Sequence, residues 1–259
     1  MSRARRISEH LLPNGPADAA RQVLLFVGAY VLYQLVRGLV NTDDIGRASE
    51  NARRIIALER RLHVFVEPAV QRWALHSHAL VDVLVWFYLN GNYAITGGAL
   101  LWLYLRRNDS FYFVRNMFLI AMALALVGYT LYPTAPPRLM GQYGFVDVVQ
   151  QVTGVDAERS TASDFVNLYA AVPSMHICFA LMTSGSVIGL VRSRPLRVLW
   201  ALYVPWVAFV VVATANHYLT DVVLGALTAV VAAVLSRELL ARARPRAWAL
   251  HPDRVEQTA

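Results

Sequence analysis

Six apolar stretches of about 20 residues, at 21–40, 80–105, 111–132, 173–191, 196–215 and 218–240, leave this chain few choices of fold. Each is long enough to cross a bilayer as a helix and carries few charges. With 57% hydrophobic and only 16% charged residues over 259 positions, the chain exceeds what a soluble domain commonly carries. The expected fold class is an all-α integral membrane protein, a six-transmembrane-helix bundle forming one catalytic-sized domain over 21–240. Short cytoplasmic tails are expected at 1–20 and 241–259. Arg3, Arg5 and Arg6 precede the first run as in a secretory signal, but no small-x-small cleavage site follows, so the run is read as a retained helix. The single cysteine, Cys178, makes no internal disulfide.

The net charge of +7 comes from arginine alone. Basic residues cluster at 3–21, 106–115, 192–197 and 237–246, the alternate loops of a six-helix chain, so both termini are expected in the cytoplasm. The exception is 41–78, where Arg47, Arg53, Arg54, Arg60, Arg61 and Arg72 mix with Asp43, Asp44, Glu50, Glu59 and Glu67. A basic protein often suggests nucleic acid. Arginines at membrane borders account for this charge better, and no nucleic-acid partner is expected.

Between the first two runs, Ile45, Ala48, Ala52, Ile55, Leu62 and Ala69 recur at helical spacing. They predict an additional amphipathic interfacial helix, lying on the outer leaflet or packed on the bundle as a connector. Asn90, Gly91 and Asn92 interrupt the second run and are expected to face the bundle interior as packing groups. The connection 133–172 is about 40 residues long, where connections beyond about 15 are uncommon unless functional or disordered. It ends in a histidine motif, on the side of the membrane that also carries the junction of the fifth and sixth runs.

Those two places hold the chemistry. His217 and Asp221 are four apart, on one face of a helix entering the membrane. A carboxylate holding one imidazole nitrogen leaves the other to attack; the alternative is a capping and packing pair. Pro173 suits the first helical position and places Ser174 in the opening turn, where backbone N–H groups and the helix dipole favour a phosphate. His176, in that turn, is placed to protonate a leaving oxygen. Arg138, stiffened by Pro136 and Pro137, is either a phosphate grip or the partner of a loop carboxylate such as Asp147 or Asp164.

Val-Pro-Ser-Met-His at 172–176 and His-Tyr-Leu-Thr-Asp at 217–221 resemble the second and third signature motifs of the type 2 phosphatidic acid phosphatase superfamily. The longer strings at 167–176 and 214–218, with Ala-Pro-Pro-Arg at 135–138, are most similar to its inositolphosphotransferase-like branch, which includes inositol phosphorylceramide synthases. The resemblance covers about 110 residues, from Tyr132 to Leu240. It implies that His217 is the nucleophile forming a phosphohistidine, Asp221 its orienter and His176 the acid, with neither metal nor cofactor. Arg138, Ser174, Asn216 and Tyr218 are then the phosphate-binding residues. The substrate implied is a lipid phosphate (a glycerophospholipid, polyprenyl phosphate or inositol phospholipid), handled on the extracytoplasmic face of the cell membrane.

The chain departs from the pattern twice. Val210 and Val211 stand where the phosphatases carry a Ser-Arg pair, and the lysine-containing first motif is missing. Arg138 is the leading substitute for the phosphate grip. Rival membrane chemistries fit less well. Acyltransferases place four residues between histidine and aspartate, against three here; Thr183-Ser-Gly-Ser186 is a poor serine-protease elbow; and a transporter would set its ionisable groups in mid-membrane.

Overall fold

A computed structural model describes residues 12–39, 45–155 and 169–243. Most of the expected tails at 1–20 and 241–259 lies outside the described residues, as do Asp43, Asp44, Asp164 and Asn167. The described chain is helical, with one isolated β-bridge between Thr134 and Ala170. The helices are α1 (Gly15–Leu39), α2 (Ile45–Arg61), α3 (Glu67–Ala74), α4 (His78–Trp86), α5 (Asn92–Arg106), α6 (Asn108–Leu131), α7 (Val148–Thr153), α8 (Met175–Leu190), α9 (Arg194–Ala213) and α10 (Leu219–Leu235). A π-helical turn, Phe87–Gly91, joins α4 to α5, and a second, Ser236–Arg242, extends α10.

The six apolar runs fall on α1, α4 with α5, α6, α8, α9 and α10. Three helices, Asn108–Leu131, Arg194–Ala213 and Leu219–Arg242, are long and apolar enough to cross a membrane. Met175–Leu190 is apolar but has 16 residues, about 24 Å at 1.5 Å per residue against a hydrocarbon core of roughly 30 Å. The outer faces of the long helices expose large apolar side chains, among them Val127, Leu131, Leu199, Leu202, Val223 and Leu227.

Helix α8 sits centrally, packed on α5, α6, α9 and α10. Apolar side chains all round its axis suit a helix enclosed by others. Two glycines let the neighbours approach its start. A Cβ at Gly128 of α6 would lie 2.8 Å from Pro173 Cδ, and one at Gly225 of α10 would overlap the backbone oxygen of Ser174. At the other end of the bundle, Asp18 of α1 accepts hydrogen bonds from the hydroxyls of Tyr104 (3.0 Å) and Tyr112 (3.0 Å), and buried Arg115 donates to Gln22 (2.8 Å). This network ties α1 to α5 and α6.

The amphipathic segment is two helices, not one, and it packs on the bundle. Ala48, Ala52, Ile55 and Ile56 of α2 are buried in a cluster with Ala135, Met140, Phe145 and Tyr218. Leu62 and Ala69, expected on the same stripe, are exposed, because α2 ends at Arg61 and His63 turns the chain with φ of 58° before α3 begins.

Replacing Gly225 by alanine discriminates close packing from helix propensity. Propensity alone would stabilise α10 by up to about 1 kcal/mol; overpacking at such a contact costs about 1–3 kcal/mol. The expected result is a lower melting temperature in detergent, and an unchanged or raised one would refute the contact.

Candidate active site

Helix α9 ends at Ala213 and α10 begins at Leu219, so residues 214–218 form a tight turn. The N–H groups of Asn216 and His217 both donate to the Val211 carbonyl, at 3.0 and 3.1 Å, and Ala215 adopts φ of 53°. A non-glycine residue there is strained by about 1 kcal/mol or more. Its methyl group is fully buried in the cluster that holds α2, and its carbonyl accepts the N–H of Arg138 at 2.8 Å. The surrounding packing therefore holds the turn that presents His217.

Asp221 does two things at once. Its Oδ2 accepts the N–H of Tyr218 at 2.9 Å, capping α10, and also lies 3.3 Å from His217 Nδ1. Capping and orienting, alternatives on sequence, coexist in one oxygen. A carboxylate acceptor at Nδ1 puts the hydrogen on that nitrogen and the lone pair on Nε2.

Helix α8 begins at Met175 with Ser174 as its N-cap, so Pro173 stands just before the cap instead of at the first helical position. The Ser174 N–H donates to the Asp221 carbonyl at 3.2 Å, which joins the starts of α8 and α10. The rings of His176 and His217 are thereby 5.9 Å apart between centroids. His176 stacks on Tyr88 at 4.4 Å, meets Tyr93 edge-on at 5.4 Å, and hydrogen-bonds through Nε2 to the Tyr88 carbonyl at 3.1 Å. A carbonyl only accepts, so Nε2 carries a hydrogen.

Both histidines line a cavity of about 280 Å³ together with Arg138, Asn216, Tyr30, Tyr33, Gln34 and Tyr129. Arg138 donates from Nη1 to Asp147 Oδ2 at 2.7 Å, while its buried Nε has no partner among the described residues. It is the loop carboxylate's partner and a cavity donor together. Asn216 spends its amide N–H groups on Thr214, at 2.9 and 3.2 Å. Two expected phosphate ligands are not on the wall. Tyr218 is fully buried with its hydroxyl donated to Ala135 O at 3.2 Å, and Ser174 is fully buried with a hydroxyl that has no partner among the described residues.

The expectation for Asn90–Asn92 divides. Asn92 is buried, accepts the Tyr203 hydroxyl at 2.6 Å and donates to the His176 carbonyl at 3.4 Å, whereas Asn90 is exposed. Sequence reasoning missed Tyr88 and Tyr93, which the π-helical turn brings onto His176. The polar interruption at 90–92 was the available signal, since such turns are frequent at functional sites.

The family model described as PAP2 superfamily matches residues 53–235. The chain belongs to the PAP2 superfamily. No curated protein and no solved structure matches it. The match spans α2 to α10 and so takes in both histidines and Asp221. Within this PAP2 domain, Val210 and Val211 are buried in apolar clusters; the Val210 carbonyl accepts the N–H and hydroxyl of Thr214, and the Val211 carbonyl holds the His217 turn.

Because Arg138 is the cavity's arginine, Arg138→Ala should lower kcat/KM about 10- to 100-fold, the loss of a charge-assisted hydrogen bond of about 1.5–3 kcal/mol. Asp147→Asn should cost less. Unchanged kcat/KM in Arg138→Ala would make the arginine purely structural.

Proposed function

We propose that this protein is a membrane-embedded lipid phosphatase or phosphotransferase that cleaves a lipid phosphate ester through a phosphohistidine intermediate. The observation that carries this reading is the pair of imidazoles, 5.9 Å apart, on the wall of one cavity that also holds Arg138. His217 attacks phosphorus from Nε2 while Asp221 stabilises the charge that develops on the ring. The bond from phosphorus to the leaving oxygen breaks, and His176 supplies that oxygen with a proton. An incoming hydroxyl then gives its proton to His176 and displaces His217 from phosphorus. Water as that nucleophile makes the protein a phosphatase; a lipid or polyol hydroxyl makes it a phosphotransferase, as in the inositolphosphotransferase-like branch. The transferase reading is favoured by α1, whose Tyr30, Tyr33 and Gln34 add hydroxyl and amide groups to the cavity.

In this reading α1, α4 with α5, α6, α8, α9 and α10 each span the membrane as one domain over 21–240. Helix α8 does so despite its length because its neighbours, not lipid, surround it. With arginine-rich loops and both termini in the cytoplasm, the histidines face outward. The substrate is a glycerophospholipid, a polyprenyl phosphate or an inositol phospholipid, and no metal or cofactor takes part in any step.

His217→Ala is expected to abolish turnover, and acid-labile label from a phosphate-labelled substrate to appear on the wild type alone; full activity in the variant would refute the nucleophile. With chemistry limiting, the rate should be bell-shaped in pH, since His217 must be neutral and His176 protonated. Activity is expected to survive a chelator, and loss restored by magnesium would overturn the metal-free mechanism.

A further inference from the structure

Glu59 and Glu67 stand among the arginines of 41–78, yet neither is paired with an arginine among the described residues. They are 1% and 0% exposed. Glu59 closes α2 and Glu67 opens α3, and the turn at His63 folds the two onto the start of α10. Oε1 of Glu67 accepts the Leu219 N–H at 2.9 Å. Oε1 of Glu59 accepts the N–H and hydroxyl of Thr220 at 2.7 and 2.8 Å. Helix α10 is thus capped by side chains from two other helices, satisfying N–H groups that a helix start leaves open. The remaining oxygens meet no N–H or O–H donor from the rest of the described chain. The two acids are electrostatic neighbours, and a proton held between them would give both oxygens a partner.

We propose that Glu59 and Glu67 are positioning residues, a carboxyl–carboxylate pair that shares one proton and holds the start of α10 in the register that sets Asp221 behind His217. The hydrogen bonds run without a gap: the pair holds residues 219 and 220, Asp221 Oδ2 caps residue 218, and the same oxygen holds His217 Nδ1. The other titratable groups around the pair are Asp221 and Tyr218 at the start of α10 and Tyr143 from the loop; Arg60 turns away onto the rings of Phe65 and Tyr143. Among the described residues, Asp221 adds a further carboxyl and no arginine pairs with either glutamate. Loss of the shared proton leaves two buried carboxylates in contact, and their repulsion loosens the cap.

Burial, with Glu67 beside it, pushes the Glu59 carboxyl up to about 8. A carboxyl raised from an ordinary value of 4.5 to about 8 binds its proton more tightly in the folded protein. The stability it confers is complete at low pH, declines as pH rises through this window, and is gone above it.

The proposal rests on His217 as the nucleophile, and the test separates the two. Glu59→Gln, Glu67→Gln and Glu59→Ala are purified in detergent, and kcat, KM and melting temperature are followed from pH 5 to 10. Glutamine at 59 keeps an acceptor for Thr220 and an N–H for Glu67 at every pH. Glu59→Gln is therefore expected to keep kcat within about threefold at pH 7, to move the alkaline fall in kcat upward, and to flatten the decline of melting temperature between pH 5 and 8. Glu59→Ala should lose kcat about tenfold or more with KM little changed, as expected for a lost charge-assisted bond to a backbone N–H. Glu67→Gln should behave as Glu59→Gln does. If the glutamine variants change the melting profile but leave the alkaline fall in kcat where it was, the pair is only structural and the proposal fails. If both profiles match the wild type, no shared proton exists. Full activity of His217→Ala would instead defeat the functional reading and leave the melting result standing.

Discussion

One backbone contact governs the arrangement of the whole site: the place where the start of α8 lies against the start of α10. The Ser174 N–H reaches the Asp221 carbonyl, and the Ser174 carbonyl rests on Gly225, where no side chain could fit. A helix start has N–H groups and no side-chain bulk to spare, so two of them meet closely only if one presents a glycine. Gly225 lies one turn beyond Asp221, which places the open face of α10 directly beneath the residue that orients His217. The distance between the two imidazoles follows from this packing. Enclosure of α8 by α5, α6, α9 and α10 makes that packing stiff, since protein interiors yield little to displacement.

The second constraint is electrostatic. Asp221, Glu59 and Glu67 crowd around the first turn of one apolar helix, and none of them is exposed beyond 1%. Three isolated carboxylates could not persist there. The helix start answers them with its N–H groups and the positive end of its dipole, while His217 answers Asp221 and the shared proton answers the two glutamates. The helix dipole is thus used inward, to anchor the machinery, at α10, and toward the cavity at α8, where Met175 and His176 line the wall.

Much of this was legible in the sequence and the remainder was not, for physical reasons. The apolar runs located every long helix, and the spacing of four between His217 and Asp221 located their contact, because both signals are periodicities that the helix itself imposes. Asn92 was readable as an inward polar group, but Asn90 was not separable from it without knowing that the backbone widens into a π-helical turn. Leu62 and Ala69 fitted the amphipathic stripe of α2 by period, and only the left-handed residue at His63 removes them from it. Ser174 was expected at the phosphate from its place in the opening turn of a helix, and Tyr218 from the family resemblance. Alternate residues at a helix start point in different directions, and these two point into the core. Glu59 and Glu67 were noted only as acids among the arginines of 41–78, and nothing local to that segment tells that the two serve a helix more than 150 residues later.

The loss of the Ser-Arg pair acquires a reason in this setting. Position 211 lies inside the apolar contact between α9 and α8, where a guanidinium would stand among apolar side chains. Its backbone carbonyl, meanwhile, already carries two N–H groups of the turn that presents His217. In the proposed mechanism a donor for the substrate has to arrive from elsewhere, and the loop after α6 offers Arg138. Pro136 and Pro137 fix the backbone, the Arg138 N–H is tied to Ala215 in the same turn, and Asp147 holds one end of the guanidinium. Arg138 is thus hydrogen-bonded to the very turn that carries His217, and any movement of that turn carries the arginine with it. In the proposed mechanism a grip built this way would keep its register with His217 even though its sequence position is unrelated to the motif it replaces.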